Sequence, residues 1–260
     1  MTDERLVGAD RVIAVLTELA EHPLGVSLDE LAGAVDSPKP TVHRALATLR
    51  RAGLADLVER GVYVLGDEYL RLAFRNLDGR PETARLQPLL EELAATFGET
   101  AHYAVLAGTD IVYRAKMDPP HGAMRLTSVI GGRNGAYSTA VGKVLLSDLL
   151  TTVDAVETWF GPFPLEQKTP NTITSADTLL AELVTTRRRG FGIDDQENEI
   201  GVNCVAIPVR LDGAPTPSGA VSISAVGFRC PLPRLVEAVP AIREAITRHL
   251  GPGAVGQPAG

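Results

Sequence analysis

Between Ser37 and Ala55 the chain carries Lys39, Arg44, Arg50 and Arg51 and no acidic residue, although the 260-residue protein is net −7 at pH 7. Ammonium and guanidinium groups gathered in this way pair with phosphate oxygens, and a guanidinium also fits a base edge. Pro40 and Thr41, near the start of the same stretch, are short, so the backbone there can approach the floor of a groove. Lys39, Pro40, Thr41, His43, Arg44, Thr48, Arg50 and Arg51 are therefore the candidate nucleic-acid face.

The surrounding residues dictate how that face is held. Ser27 followed by Glu30 is a capping box, and Leu28, Leu31, Ala32 and Val35 continue it at helical spacing. Asp36-Ser37-Pro38 ends this helix, with Ser37 expected as the next N-cap and Pro38 at the first helical position. Val42, Ala45, Leu46 and Leu49 then share one face, opposite Pro40, Arg44, Ala47 and Arg51. A hairpin is expected over Leu57 to Leu65, with Arg60 at its tip as a phosphate contact. Asp10 can cap a third helix carrying Val12, Val15, Leu16 and Leu19. A helix, a turn, a reading helix and a wing make a winged helix-turn-helix, expected over residues 5–66.

The remainder is too long for that module alone. A linker helix through Tyr69, Leu70, Leu72, Ala73 and Leu77 is expected within 67–80. A second domain follows over 81–251, then a Gly/Pro/Ala-rich flexible tail over 252–260. Helices are expected over 82–97, 139–150, 176–189 and 235–250. Strands are expected over 102–106, 111–116, 124–130, 202–210 and 219–226. Hairpin-length turns between them point to an α+β fold around a central antiparallel sheet.

Composition narrows the function classes. No apolar run of membrane-spanning length and no signal-peptide pattern is present, which places the protein in the cytoplasm with no membrane partner. Cys204 and Cys230 form no metal-ligand spacing, so no metal and no cofactor are expected. A thiol dyad of Cys204 with His102 or His121 is the conceivable enzyme. Against catalysis, the chain has no G-x-S-x-G elbow and no H-E-x-x-H, and Gly142-Lys143 lacks the remainder of a phosphate loop. The expected answer is a non-enzyme.

SPKPTVHRALATLRRAGL, VYVLG, LEELAATFGETAHYAV, STAVGKVLL, RRRGFGIDDQENEIGVNCVAIPV and GAVSIS occur in this order between about Leu6 and Leu250. In these motifs the chain resembles the IclR family of bacterial transcriptional regulators. The resemblance implies a GAF-like effector-binding domain after the winged helix-turn-helix, and homodimers or homotetramers on a double-stranded DNA operator. It also implies operator binding modulated by a small-molecule effector, an organic acid or related metabolite. Position by position, it carries the effector pocket onto the backbone of Ala140 and Val141, onto Asp194, Cys204, Ser222 and Ser224, and onto the apolar wall positions Met124 and Leu126. One departure stands out: Gly135-Ala136-Tyr137-Ser138 replaces the family's Pro-Leu-His-Ala, with Asn134 where an apolar residue is expected. That end of the pocket should be more polar or reshaped.

Overall fold

The computed structural model describes residues 8–58, 61–79, 81–120, 126–211 and 214–255, and divides the chain into two compact units, Met1–Pro81 and Glu82–Gly260. In the first unit, helices α1 (Gly8–Ala20), α2 (Leu28–Ala34) and α3 (Lys39–Arg51) enclose a core of Val15, Leu19, Leu31, Val42, Leu46 and Leu49. The capping box is present in full. Ser27 Oγ accepts the Glu30 amide at 3.3 Å, and Glu30 Oε2 accepts the Ser27 amide at 3.0 Å. The expected cap on α3 is absent. The helix starts at Lys39 after Pro38, which can supply no side-chain bond, and Ser37 Oγ donates instead to Val35 O. Pro40 sits in the first turn, where its missing N–H costs nothing.

Strands β1 (Val26–Ser27), β2 (Ala55–Leu57) and β3 (Val62–Leu65) form a small antiparallel sheet in the order β1-β3-β2, the wing beside the helices. Only β2 and β3 were legible in the sequence. Gly66 lets the wing close on the end of α3, because a Cβ there would lie 2.1 Å from Gly53 O. Arg60, the expected tip contact, lies outside the described residues. Helix α4 (Asp67–Asp78) follows, and among its described side chains none is buried; Tyr69, Leu70, Leu72 and Phe74 are all exposed.

The second unit is built on a six-stranded antiparallel sheet in the order β6-β5-β4-β9-β8-β7. Its strands are β4 (Thr100–Ala107), β5 (Asp110–Met117), β6 (Arg133–Gly135), β7 (Gly192–Asp195), β8 (Val202–Val209) and β9 (Gly219–Val226). Side chains alternate across it. Tyr103, Val205, Ile207, Val221 and Ile223 face α5 (Pro81–Phe97) and α9 (Leu232–Leu250), in one core with Leu86, Leu90, Leu235 and Ile242. Ala104, Cys204, Ala206 and Ala220 face the other way, toward α6 (Ala140–Leu146), α7 (Val153–Phe160) and α8 (Ala176–Arg189).

The second face is lined by small residues because α6 lies almost on the sheet. A Cβ on Gly192 would stand 1.9 Å from Ala140 O, so glycine is required by proximity.

Further expectations differ from the structure. Leu126–Ile130 is not a strand: the carbonyls of Leu126 and Ser128 accept from Lys116 Nζ, at 3.0 and 2.7 Å, rather than from a ladder neighbour. The strand that pairs with β5 on the side away from β4 is β6. Helix α6 also ends at Leu146, short of the expected Leu150. Within the stretch expected as tail, Ala254 is buried and Val255 bridges to Val209.

Candidate functional site

On α3 the buried residues Val42, Ala45, Leu46 and Leu49 fix the helix and turn Lys39, Pro40, His43, Arg44, Thr48, Arg50 and Arg51 outward. Thr41 is half-buried at the edge of this face. Two arginines are steadied by threonines one turn before them. Arg44 Nη2 lies 3.4 Å from Thr41 Oγ1, and Arg51 Nη2 donates to Thr48 Oγ1 at 3.1 Å. Such contacts reduce the side-chain freedom lost when a guanidinium docks on a rigid partner. Lys39 is less free than the sequence implied, since Asp29 on α2 pairs with it at 2.8 Å. Both side chains are more than half exposed, so the pair is weak and a phosphate can compete for the ammonium. Arg11 of α1 lines a shallow cleft with Thr41, Arg44 and Thr48, which adds a cation beside the face that sequence reasoning missed.

In the second unit a cavity of about 230 Å³ opens between the small-residue face of the sheet and α6. Strand register explains its lining. Asp194, Cys204, Ser224 and Thr100 stand opposite one another across β7, β8, β9 and β4, and His102 stands opposite Ser222 in the adjacent row. Asp194 Oδ1 accepts the amides of Glu197 and Asn198 at 2.7 and 3.3 Å, closing the turn after β7. Ser224 Oγ donates to Cys204 Sγ at 3.2 Å.

The start of α6 enters the cavity with Thr139, Ala140 and Val141, and Thr139 Oγ1 caps the helix by accepting the Gly142 amide at 3.0 Å. Leu126, Tyr113 and Asn134 complete the wall, with Asn134 Nδ2 donating to Tyr113 Oη at 3.3 Å. Arg133, Asn198 and Glu199 also line it.

Burial sets the protonation of these groups. It pushes the Cys204 thiol up to about 12, helped by the neighbouring Asp194, and the Tyr113 phenol up to about 12. It raises Asp194 from 3.8 to about 7 against the two backbone amides that favour its charge. It drives His102 down to about 3, with Lys116 adding to the effect. The thiol, phenol and imidazole of the cavity are therefore neutral near pH 7, with Asp194 poised to give or take a proton, while Arg133 and Glu199 bring charged side chains to the lining. Behind it, the buried Lys143 of α6 binds Glu197 Oε1 at 2.5 Å and Glu182 of α8 at 3.3 Å, tying the cavity floor to two further segments.

A family model described as the IclR helix-turn-helix domain matches residues 8–60, and one described as the bacterial transcriptional regulator IclR C-terminal domain matches residues 76–248. The transcriptional regulator KdgR of Escherichia coli is 34% identical over 76% of this chain and 74% of its own. The probable transcriptional regulator SauR of Cupriavidus necator is 30% identical over 92% of both. The crystal structure of Thermotoga maritima IclR superposes with a TM-score of 0.70 at 27% identity, over 93% of this chain and 97% of that one.

The chain belongs to the IclR family. It is a DNA-binding transcriptional regulator with an effector-binding C-terminal domain, and the expected winged helix-turn-helix and antiparallel effector domain are both borne out.

Of the pocket positions transferred by resemblance to the IclR family, Leu126, Ala140, Val141, Asp194, Cys204, Ser222 and Ser224 all line the one cavity; Met124 lies outside the described residues. His102, Tyr113 and Thr139 line it as well and were not anticipated as wall residues. The signal for His102 is its strand register against Ser222, which no local pattern contains. Among the described residues no helix is long and apolar enough to cross a membrane, and no group of His, Cys, Asp or Glu could hold a metal ion.

Proposed function

We propose that residues 5–66 read DNA, that 67–80 form a linker helix, and that 81–251 bind a small carboxylate whose presence changes operator affinity, with a short tail over 252–260. Arg44 and Thr41 read base edges; Lys39, Arg50, Arg51 and Arg60 hold phosphate; Pro40, His43 and Thr48 lie along the groove. The observation that carries this reading is the acid-free, outward-facing row on α3 in a chain that also holds a small polar cavity. A palindromic operator needs two such helices, and the exposed apolar residues of α4 give a second copy of the chain a surface to cover. We therefore assign a homodimer or a tetramer built from it, acting in the cytoplasm and without catalysis. Against a thiol dyad, Cys204 is held neutral and His102 is hydrogen-bonded to Ser128, at 2.8 Å, rather than to sulfur.

The effector's carboxylate would lie among the first amides of α6, the hydroxyls of Ser222 and Ser224, the Cys204 thiol and Asp194, with Leu126 and Met124 as apolar wall. Asp194 in its protonated form donates to such a carboxylate, so binding weakens as pH rises through about 7.

The test is fluorescence anisotropy on the promoter fragment beside the protein's own gene, at two salt concentrations, with Arg44→Ala alongside. Salt-sensitive binding that Arg44→Ala weakens by about 1–3 kcal/mol is the expected result. Arg44→Ala binding with wild-type affinity would overturn the assignment of α3.

A further inference from the structure

Three of the four lysines pair with a carboxylate: Lys39 with Asp29, Lys116 with Asp118, and Lys143 with Glu182 and Glu197. Lys168 has no such partner among the described residues. Its Nζ, half-buried on the stretch between α7 and α8, donates to Asn198 Oδ1 at 3.0 Å. That stretch is riveted to the turn after β7. The buried Thr169 and Thr172 donate to Gln196 O and Glu197 O at 2.7 and 2.6 Å, and Asn171 Nδ2 donates to Asp195 O at 3.0 Å.

An ammonium can only donate, so it settles which atom of the Asn198 amide faces it. The oxygen does, and Ser138 Oγ lies 3.3 Å from the same oxygen. The Nδ2 group is thereby turned the other way. It has no acceptor among the described residues, yet unlike Glu197 Oε2 and Asn203 Oδ1 it is not cut off from solvent. Asn198 lines the effector cavity, and its contact with Ser138 places it beside Thr139 and Ala140, which line the cavity too.

We propose that Asn198 is a specificity-determining residue of the effector site, donating through Nδ2 to the effector's carboxylate, and that Lys168, behind the cavity wall, positions it. This rests on the proposed effector cavity and adds a donor that resemblance to the IclR family did not carry over.

Two physical effects act together. With its oxygen tied to a cation, the amide is polarised, which strengthens Nδ2–H as a donor. A donor that meets an anion makes a charge-assisted hydrogen bond, roughly twice as strong as a neutral one. The Lys168 charge, offset by no carboxylate, thus favours an anion in the cavity while the ammonium itself stays outside the lining. A neutral ligand of the same shape gains less from both effects. The arrangement therefore selects for charge as well as for shape.

The experiment is calorimetric titration of the full-length protein with butanoate and benzoate, each beside its neutral amide, on wild type, Asn198→Asp, Lys168→Met and Lys168→Arg. Wild type is expected to bind at least one acid in preference to its amide. The preference falls about tenfold or more in Asn198→Asp, where an acceptor replaces the donor, and several-fold in Lys168→Met. Lys168→Arg, which can still only donate, retains it. Should Asn198→Asp fail to fold, the side-chain amide resonances of Asn198 in wild type decide: they move on adding the acid, and resonances that stay in place overturn the inference. An undiminished preference in Asn198→Asp, or acid and amide weakened alike, overturns the inference and leaves the carboxylate site standing. Loss in Asn198→Asp with wild-type behaviour in Lys168→Met overturns the role given to Lys168. Binding of neither acid by wild type overturns the carboxylate site and this inference with it.

Discussion

The two faces through which this protein works are assembled in opposite ways. The face assigned to DNA comes from a single 13-residue helix, is exposed, and owes its charge to side chains that remain solvated. The effector cavity is gathered from all six strands of the sheet, the start of α6 and the loop at Leu126, and its polar groups Asp194, Cys204, Ser222 and Ser224 are buried. A solvated cation can be exchanged with little effect on folding, whereas a buried polar group is bound up with the fold that surrounds it. Mutations should therefore separate function from stability more cleanly on α3 than where α6 packs against the sheet.

The strongest way to break that contrast is Gly192→Val. Its Cβ would fall 1.9 Å from Ala140 O, so backbone must move, and a stability loss of about 3 kcal/mol or more is expected by denaturant melting. An unperturbed melt would mean that α6 does not need to lie on the sheet. Arg44→Ala is the converse test: operator affinity falls by about 1–3 kcal/mol while the melt stays within about 0.5 kcal/mol of wild type. If the melt moved as much as the affinity did, the reading face would be as structural as the cavity.

Asp194→Asn sharpens the comparison through pH. Folded Asp194 titrates near 7 against an ordinary 3.8, so the folded chain keeps a proton that the unfolded chain releases. Wild-type stability from this group is present below 3.8 and is lost as pH rises toward 7. Asn can still accept the Glu197 and Asn198 amides through its oxygen. Asp194→Asn should thus be more stable than wild type at pH 8 by about 1–2 kcal/mol, with the difference vanishing near pH 4, in a pH series of thermal melts.

The smallest effect is expected for Lys39→Ala. Losing the exposed pair with Asp29 should change stability by less than about 1 kcal/mol, while the salt slope of operator binding drops by about one.

The same difference in construction decides what the sequence could say. The reading helix was legible because its signals are local: the Ser27–Glu30 box, the apolar spacing of Val42 to Leu49 and the acid-free run all lie within a short stretch. Two caps were misplaced: Pro38 takes the position expected for Ser37, and Asp10 lies inside the first turn of α1 rather than ahead of it. Helix α7 was missed although Thr152 caps it and Val153, Val156 and Phe160 keep helical spacing. Its eight residues are few enough to pass for a loop.

The cavity was legible only through resemblance, since nothing near Asp194 says that it faces Cys204 across a ladder. Leu126–Ile130 shows the limit of propensity: a plausible strand sequence gives two of its carbonyls to Lys116, and the less strand-like Arg133–Gly135 takes the place on the edge of β5. His102 was seen as a strand residue and as half of a rejected dyad. Its place in the cavity appears only when β4 is set beside β9.

The most direct test of the account joins the two faces. Operator binding would be followed by anisotropy with and without a small carboxylic acid that binds the protein, on wild type and on Ser222→Ala/Ser224→Ala. The account predicts a shift in operator affinity of roughly 5- to 150-fold in wild type and little or none in the double variant. A shift of the same size in both proteins would contradict it, because the acid would then be acting somewhere other than the cavity.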